Sequence, residues 1–409
     1  MLKISLLLFT LLSFNACSIN NDNGSGSATP SKEVQSDYIF YGDINNNDVL
    51  KINYKTMELN NTIHSNGVYP YEIANGFDNE LLVLNRGDTN IGLLNNSEVT
   101  GTYTLEFQPR SISLNRTSKT ILLCSSSDPY SQIIADTLIY SDSEYKEPNS
   151  FGGKGATGHP LWINEKYFFL LDRTENSIEL YEVGTAAPVA KLQTSSSVHQ
   201  LQKQGDYFYG TLEGVREGVS PGIVKFKIAY AKFENVNESL LSDFNNLPVD
   251  FNSTTWGFHH FSFHPDGKYL YTGSYEGNVF VFDTVNLKLV DSFKAGLGVG
   301  HFKFYQNTLI TTNHFDTFKS VYDAIDPLHN KFIKNVSLSK TRVTGKIMQS
   351  HTSFIVGDNL YFTYNVADES RLYKMSLVDY KVEYLSLPTS YCVMGVLEKT
   401  IGEAPDLGM

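Results

Sequence analysis

Five of the ten histidines in this chain recur at long, similar intervals. His159, His199, His260, His301 and His351 follow one another at about 40 to 60 residues, the period of a four-stranded repeat. A neutral imidazole nitrogen is a good ligand for zinc or copper, and three or four of them complete a site for either ion. Cys392 falls at the same place in the last copy and would add a thiolate. His314 in "TTNHFD" and Asp172 in "FLLDRTE" each follow a second strand, whose loop is expected to open on the same face. Met348 and Met394 flank the column and would suit Cu(I). His260, His301 and His351 come from adjacent copies and form the best subset. Protonation below the ordinary imidazole pKa of about 6.5 should weaken such a site.

Closeness along the chain is the poorer guide. The stretch "GFHHFSFHPDGKYL" gathers His259, His260 and His264. Strand alternation turns His259 away from His260, and His264 precedes a Pro-Asp-Gly turn, so both read as structural. Cys124 ends the apolar run "TILLC" and reads as core.

Residues so far apart can meet only if the fold closes on itself. The clearest repeat is "FSFHPDGKYLYTGSYEGNVFVFDTVNLKLVDSF", from Phe261 to Phe293. It reads as four short strands joined by tight turns, which is one blade of a β-propeller. Weaker copies begin near Tyr71, Arg110, His159, His199, His301 and His351. The "DYIFYGDINNNDVLKINYKTMEL" segment has three strands without an inner one, and "SYCVMGVLEK" has one strand without a blade. Joined, they make a composite blade that closes the ring and removes free edges. The expected fold is all-β, a single propeller of eight blades, with seven left open by the irregular Ser125–Asn149 stretch and an apparent insertion from Gly214 to Thr255. Its 25 Tyr and 26 Phe against 2 Trp fit a sheet protein.

The "HPDGKYLYTGS" and "NVFVFDTVNLKLV" portions resemble the WD40 and YVTN propeller repeats. The inner-strand histidines, as in "GHPLWI" and "GFHHFSF", together with the blade count resemble the eight-bladed periplasmic propellers that act as zinc chaperones. That resemblance implies zinc, or copper as the alternative, held for handover to a transporter or acceptor protein. A histidine-lined hub is also similar to nitrous oxide reductase, but no cupredoxin domain is expected after the closing strand.

Residues 1–17 read as an export signal whose "FNAC" end resembles a bacterial lipobox, with lipid on Cys17. Residues 18–36 read as a polar tether, 37–400 as the propeller and 401–409 as a tail. This predicts a membrane-anchored protein of the bacterial envelope, on the periplasmic face of the outer membrane. A net charge of −12 gives no footprint for nucleic acid. No nucleophile elbow, phosphate loop or His-Glu-x-x-His helix is present, so binding is expected rather than catalysis. Two other readings stand beside it. One is a metal-free interaction or small-ligand scaffold; the other is hydrolysis by metal-bound water with Asp172 or Glu213 as base.

Overall fold

The computed structural model describes residues 33–401 apart from 78, 96, 106, 126–130, 136–158, 186, 215–218, 242–256, 341–348, 367–368 and 390. The export signal, Cys17, most of the tether, Met348 and the 402–409 tail lie outside the described residues. Eight antiparallel sheets follow one another, seven with four strands and one, blade 3, with three among the described residues. No described helix is long and apolar enough to cross a membrane.

The ring closes as a composite. In blade 1 the three N-terminal strands are joined on the inside by Cys392–Ile401, which pairs antiparallel with Glu33–Asp43. The first strand thus begins ahead of the Asp37 boundary read from the sequence. Phe40 pairs with Val396 and Tyr41 with Gly395. A Cβ at residue 395 would sit 2.5 Å from the Tyr41 ring and 2.6 Å from the Phe40 carbonyl oxygen, so only glycine fits there. The closing strand packs against blade 8 on one side and blade 2 on the other.

Blades bury their middle strands on both faces. Leu81–Asn85 and the core of Tyr167–Asp172 are buried at successive residues, whereas the outer strand Val99–Thr104 alternates half-buried with exposed. Large rings fill the gaps between neighbours. Phe169 meets Phe208 and Phe226 edge-on at 5.0 and 5.6 Å across the junction of blades 4 and 5. Each such ring is worth about 3–5 kcal/mol against truncation to alanine. Turns repeat one device, an Asx side chain capping the next backbone amides: Asp283 accepts from Val285 and Asn286, and Asn115 from Thr117 and Ser118.

One expectation is corrected. The Gly214–Thr255 stretch is not simply an insertion, because Gly222–Ala229 and Lys232–Leu240 are the third and fourth strands of blade 5. Their register breaks between Lys225 and Lys227, which hid the alternation.

Candidate metal centre

The inner strand of each blade, or in blade 4 the two residues ahead of it, lines one central cavity of about 220 Å3. Their entrances are irregular. Register shifts interrupt the pairing between Pro70 and Glu72, Pro109 and Ser111, Val198 and Leu201, Val299 and His301, and Gln349 and Ser353. A bulge inserts unpaired residues and re-aims side chains. Tyr71, Arg110 and His199 are such residues, and all three line the cavity.

Six histidines line the cavity, and a seventh, His314, packs against two of them, His301 and His351. Ring centroids run from His159 to His199 at 5.4 Å, His199 to His259 at 3.9 Å and His259 to His260 at 4.5 Å. The chain of rings continues from His260 to His301 at 4.1 Å, His301 to His314 at 5.1 Å and His314 to His351 at 4.6 Å. Three all-histidine triads each bring one nitrogen per residue within 4.8 Å of the others: His159–His199–His260, His259–His260–His301 and His301–His314–His351. A fourth group is His199, Glu213 and His259.

The surrounding shell decides which nitrogen faces inward. Nδ1 of His199 donates to the Glu213 carboxylate at 3.0 Å, Nδ1 of His260 to the Gln200 side-chain oxygen at 2.9 Å, and Nδ1 of His314 to the Gln349 carbonyl at 3.0 Å. His159 Nδ1 meets the Ser111 hydroxyl at 2.8 Å. Each arrangement leaves Nε2 as the other nitrogen, as in metal-binding imidazoles whose remaining ring nitrogen is held by a hydrogen bond. Nε2 of His199, Nε2 of His301 and Nδ1 of His351 are buried with no hydrogen-bond partner among the described residues. Unpaired buried polar atoms are costly, so this donor set fits a transition ion.

Burial also keeps the rings neutral. Desolvation first, then the guanidinium groups of Arg110, Arg173 and Arg86, hold His159 down at about 3. Burial takes His314 to about 4 and, with the neighbouring imidazoles, places His199, His259, His260, His301 and His351 well below the ordinary value. In the channel wall, burial pushes Glu72 up to about 8, against the lowering pull of Ser111, Arg86 and Arg110.

His159, His199, His260, His301, His351 and His314 therefore come together, and His259 joins them. Strand alternation does not govern His259, because the inner strand of blade 6 begins only at Phe261. An adjacent pair ahead of a strand can turn both rings inward, and the doubled histidine was the signal. Cys392 does not come in. A register shift between Tyr41 and Asp43 turns Met394 towards the cavity and leaves Cys392 in the core beside Tyr41, Leu50 and Leu372. Its amide is held by Asn365 and Ser370, and burial raises its thiol well above the usual range. Cys124 is likewise buried, and the two cysteines are not disulfide-bonded. Asp172 caps its own turn through Thr174 and Glu175, while the next residue, Arg173, pairs with Glu213. Glu213 also accepts from Ser197. Asp172 is thus engaged in its own turn, while Glu213 stays beside His199 and His259 at the hub. His264 packs on Phe304 and bonds the Ala324 carbonyl, as a structural residue.

The fold is an eight-bladed β-propeller. No family model and no curated protein matches the chain. Among solved structures it is similar to the dihydro-heme d1 dehydrogenase NirN in complex with DHE, at 11% identity and a TM-score of 0.65, covering 90% of this chain and 77% of that one. AztD from Citrobacter koseri is similar at 10% identity and a TM-score of 0.62, covering 90% and 98%. The computationally designed Ika8 protein follows at 9% and 0.58, covering 89% and 99%. At these identities the likeness is one of fold, and the site must be argued from its own atoms.

Backbone contact also positions the hub. A Cβ on Gly257 would lie 1.4 Å from the Glu213 carbonyl oxygen. Gly257→Ala is therefore expected to destabilise the protein by about 1–3 kcal/mol and to weaken metal binding by moving both the His259–His260 pair and Glu213. Thermal melting with a parallel zinc titration checks this; unchanged values in both would contradict the contact.

Proposed function

We propose that this propeller binds a transition metal, zinc first and copper second, in its histidine hub and passes it to another protein. The observation that carries the reading is the set of buried imidazole nitrogens, on His199, His301 and His351, that face the hub without a partner. Neutral rings need release no proton to ligate, and the eight-bladed zinc-chaperone propellers that the sequence resembles lend support. Three overlapping triads offer alternative ligand sets. Ligand exchange, with one histidine replaced at a time by an acceptor's side chain, is the corresponding mechanism of release. In this reading Cys17 carries lipid at the periplasmic face of a bacterial outer membrane, the repeats are of the WD40/YVTN kind, and the acceptor is a metal transporter or a partner protein.

The test is metal analysis of untagged protein after dialysis against zinc or copper. At least one ion per chain, with submicromolar affinity, is expected. Uptake of less than a tenth of an ion of both metals would overturn the proposal and favour a metal-free scaffold or small-ligand cavity.

A further inference from the structure

The hub is built to receive a cation yet supplies almost no negative charge. All three all-histidine triads are neutral, and the one carboxylate in the fourth group, Glu213, already accepts from His199, Arg173 and Ser197. A dication bound there would keep nearly its full charge inside the protein, which costs several kcal/mol unless an anion accompanies it. The cavity wall adds further positive charge. Arg86 and Arg110, from blades 2 and 3, line the same cavity as His159, in a chain whose overall charge is −12. The Arg86 guanidinium lies over the Tyr71 ring, 4.7 Å from its centroid, and the buried Glu72 carboxyl in the same lining feels both arginines. Arg110 stands on the bulge of its strand, so its side chain is re-aimed into the funnel. The fields of both reach His159.

We propose that the funnel takes its metal together with a small organic carboxylate, seated on Arg86 and Arg110, that completes the coordination left open by the histidines. The inference rests on the metal-binding reading. A guanidinium matches a carboxylate in two parallel hydrogen bonds. Ile73, Ile112 and Val396 on the inner strands provide apolar wall for a carbon skeleton, which favours an organic acid over phosphate. Metal and acid each neutralise the other's charge, so their binding is mutually reinforcing by the same factor.

The test uses malonate as probe. Labelled malonate is dialysed against full-length protein with and without zinc, and zinc uptake is measured in chloride and in malonate, corrected for zinc–malonate complexes in solution. One malonate per chain is expected, bound about tenfold more tightly with zinc present, and zinc should gain the same factor. Arg86→Gln with Arg110→Gln should abolish malonate retention while zinc is still taken up in chloride, at least as tightly as by the wild type because two nearby positive charges are gone. Zinc uptake without malonate retention overturns this proposal and leaves the metal reading standing. So does malonate binding that is indifferent to zinc or to the double variant. Equal displacement of malonate by inorganic phosphate overturns the choice of a carboxylate. Absence of zinc uptake in every buffer overturns the metal reading, and this proposal with it.

Discussion

Zinc affinity is expected to fall by roughly a thousandfold, about 4 kcal/mol, when His260 and His301 are both replaced by alanine. These two rings are the shared members of the triads: His260 belongs to the first and second, His301 to the second and third. Removing both leaves no all-histidine triad, only the group of His199, Glu213 and His259. His159 and His351 each belong to one triad, so either single alanine variant should lose about tenfold or less, as an intact triad remains. A competition titration against a chromophoric zinc chelator measures both effects. The double variant also removes one of the two donors to the Gln200 side-chain oxygen, leaving the Phe261 amide, at a stability cost of about 0.5–1.5 kcal/mol. Melting curves, and the volume-keeping glutamine variants, separate that cost from ligand loss. A double variant that binds zinc within threefold of wild type would place the metal elsewhere.

Acid is expected to destabilise the metal-free protein steeply between about pH 6.5 and 4. The folded rings stay neutral well below the ordinary value, His159 to about 3 and His314 to about 4. The unfolded chain takes up protons near 6.5. Between those values the unfolded state binds more protons, so stability rises with pH and is lost as pH falls. Each fully displaced imidazole contributes about 1.4 kcal/mol per pH unit. Three of the seven suffice for about 4 kcal/mol per unit, against a total stability of about 5–15 kcal/mol. Melting temperature measured from pH 7.5 to 5 should therefore drop sharply, and zinc should shift the drop to lower pH. Zinc affinity itself should change little between pH 7 and 6, because the rings are already neutral. This moves the acid sensitivity of binding below the window expected from an unperturbed pKa of about 6.5. A melting temperature that is flat from pH 7 to 5 would mean a hydrated hub with ordinary histidines.

The limits of the sequence reading are physical. Strand-and-turn grammar is local, so the blade at Phe261–Phe293 and the unmatched strands at the two ends were enough to expect a closed ring of eight. Where a register break interrupts alternation, as between Lys225 and Lys227, real strands were mistaken for an insertion. The same cause misplaced Cys392. Its position in the repeat was right, but the bulge beside Tyr41 reverses which residues of the closing strand face the channel.

By itself the sequence determined the propeller, its closure and six of the seven histidines that meet at the hub, because each depends on periodicity within single blades. Only the tertiary structure decided that His259 joins them and Cys392 does not, since both outcomes turn on a side chain's direction at an irregular strand entrance. It alone also revealed the outer shell of Glu213, Gln200, Ser111 and Gln349, and the arginines set beside the imidazoles. These partners come from loops and neighbouring blades whose separation along the chain carries no periodic signal, and they become neighbours only when the ring closes.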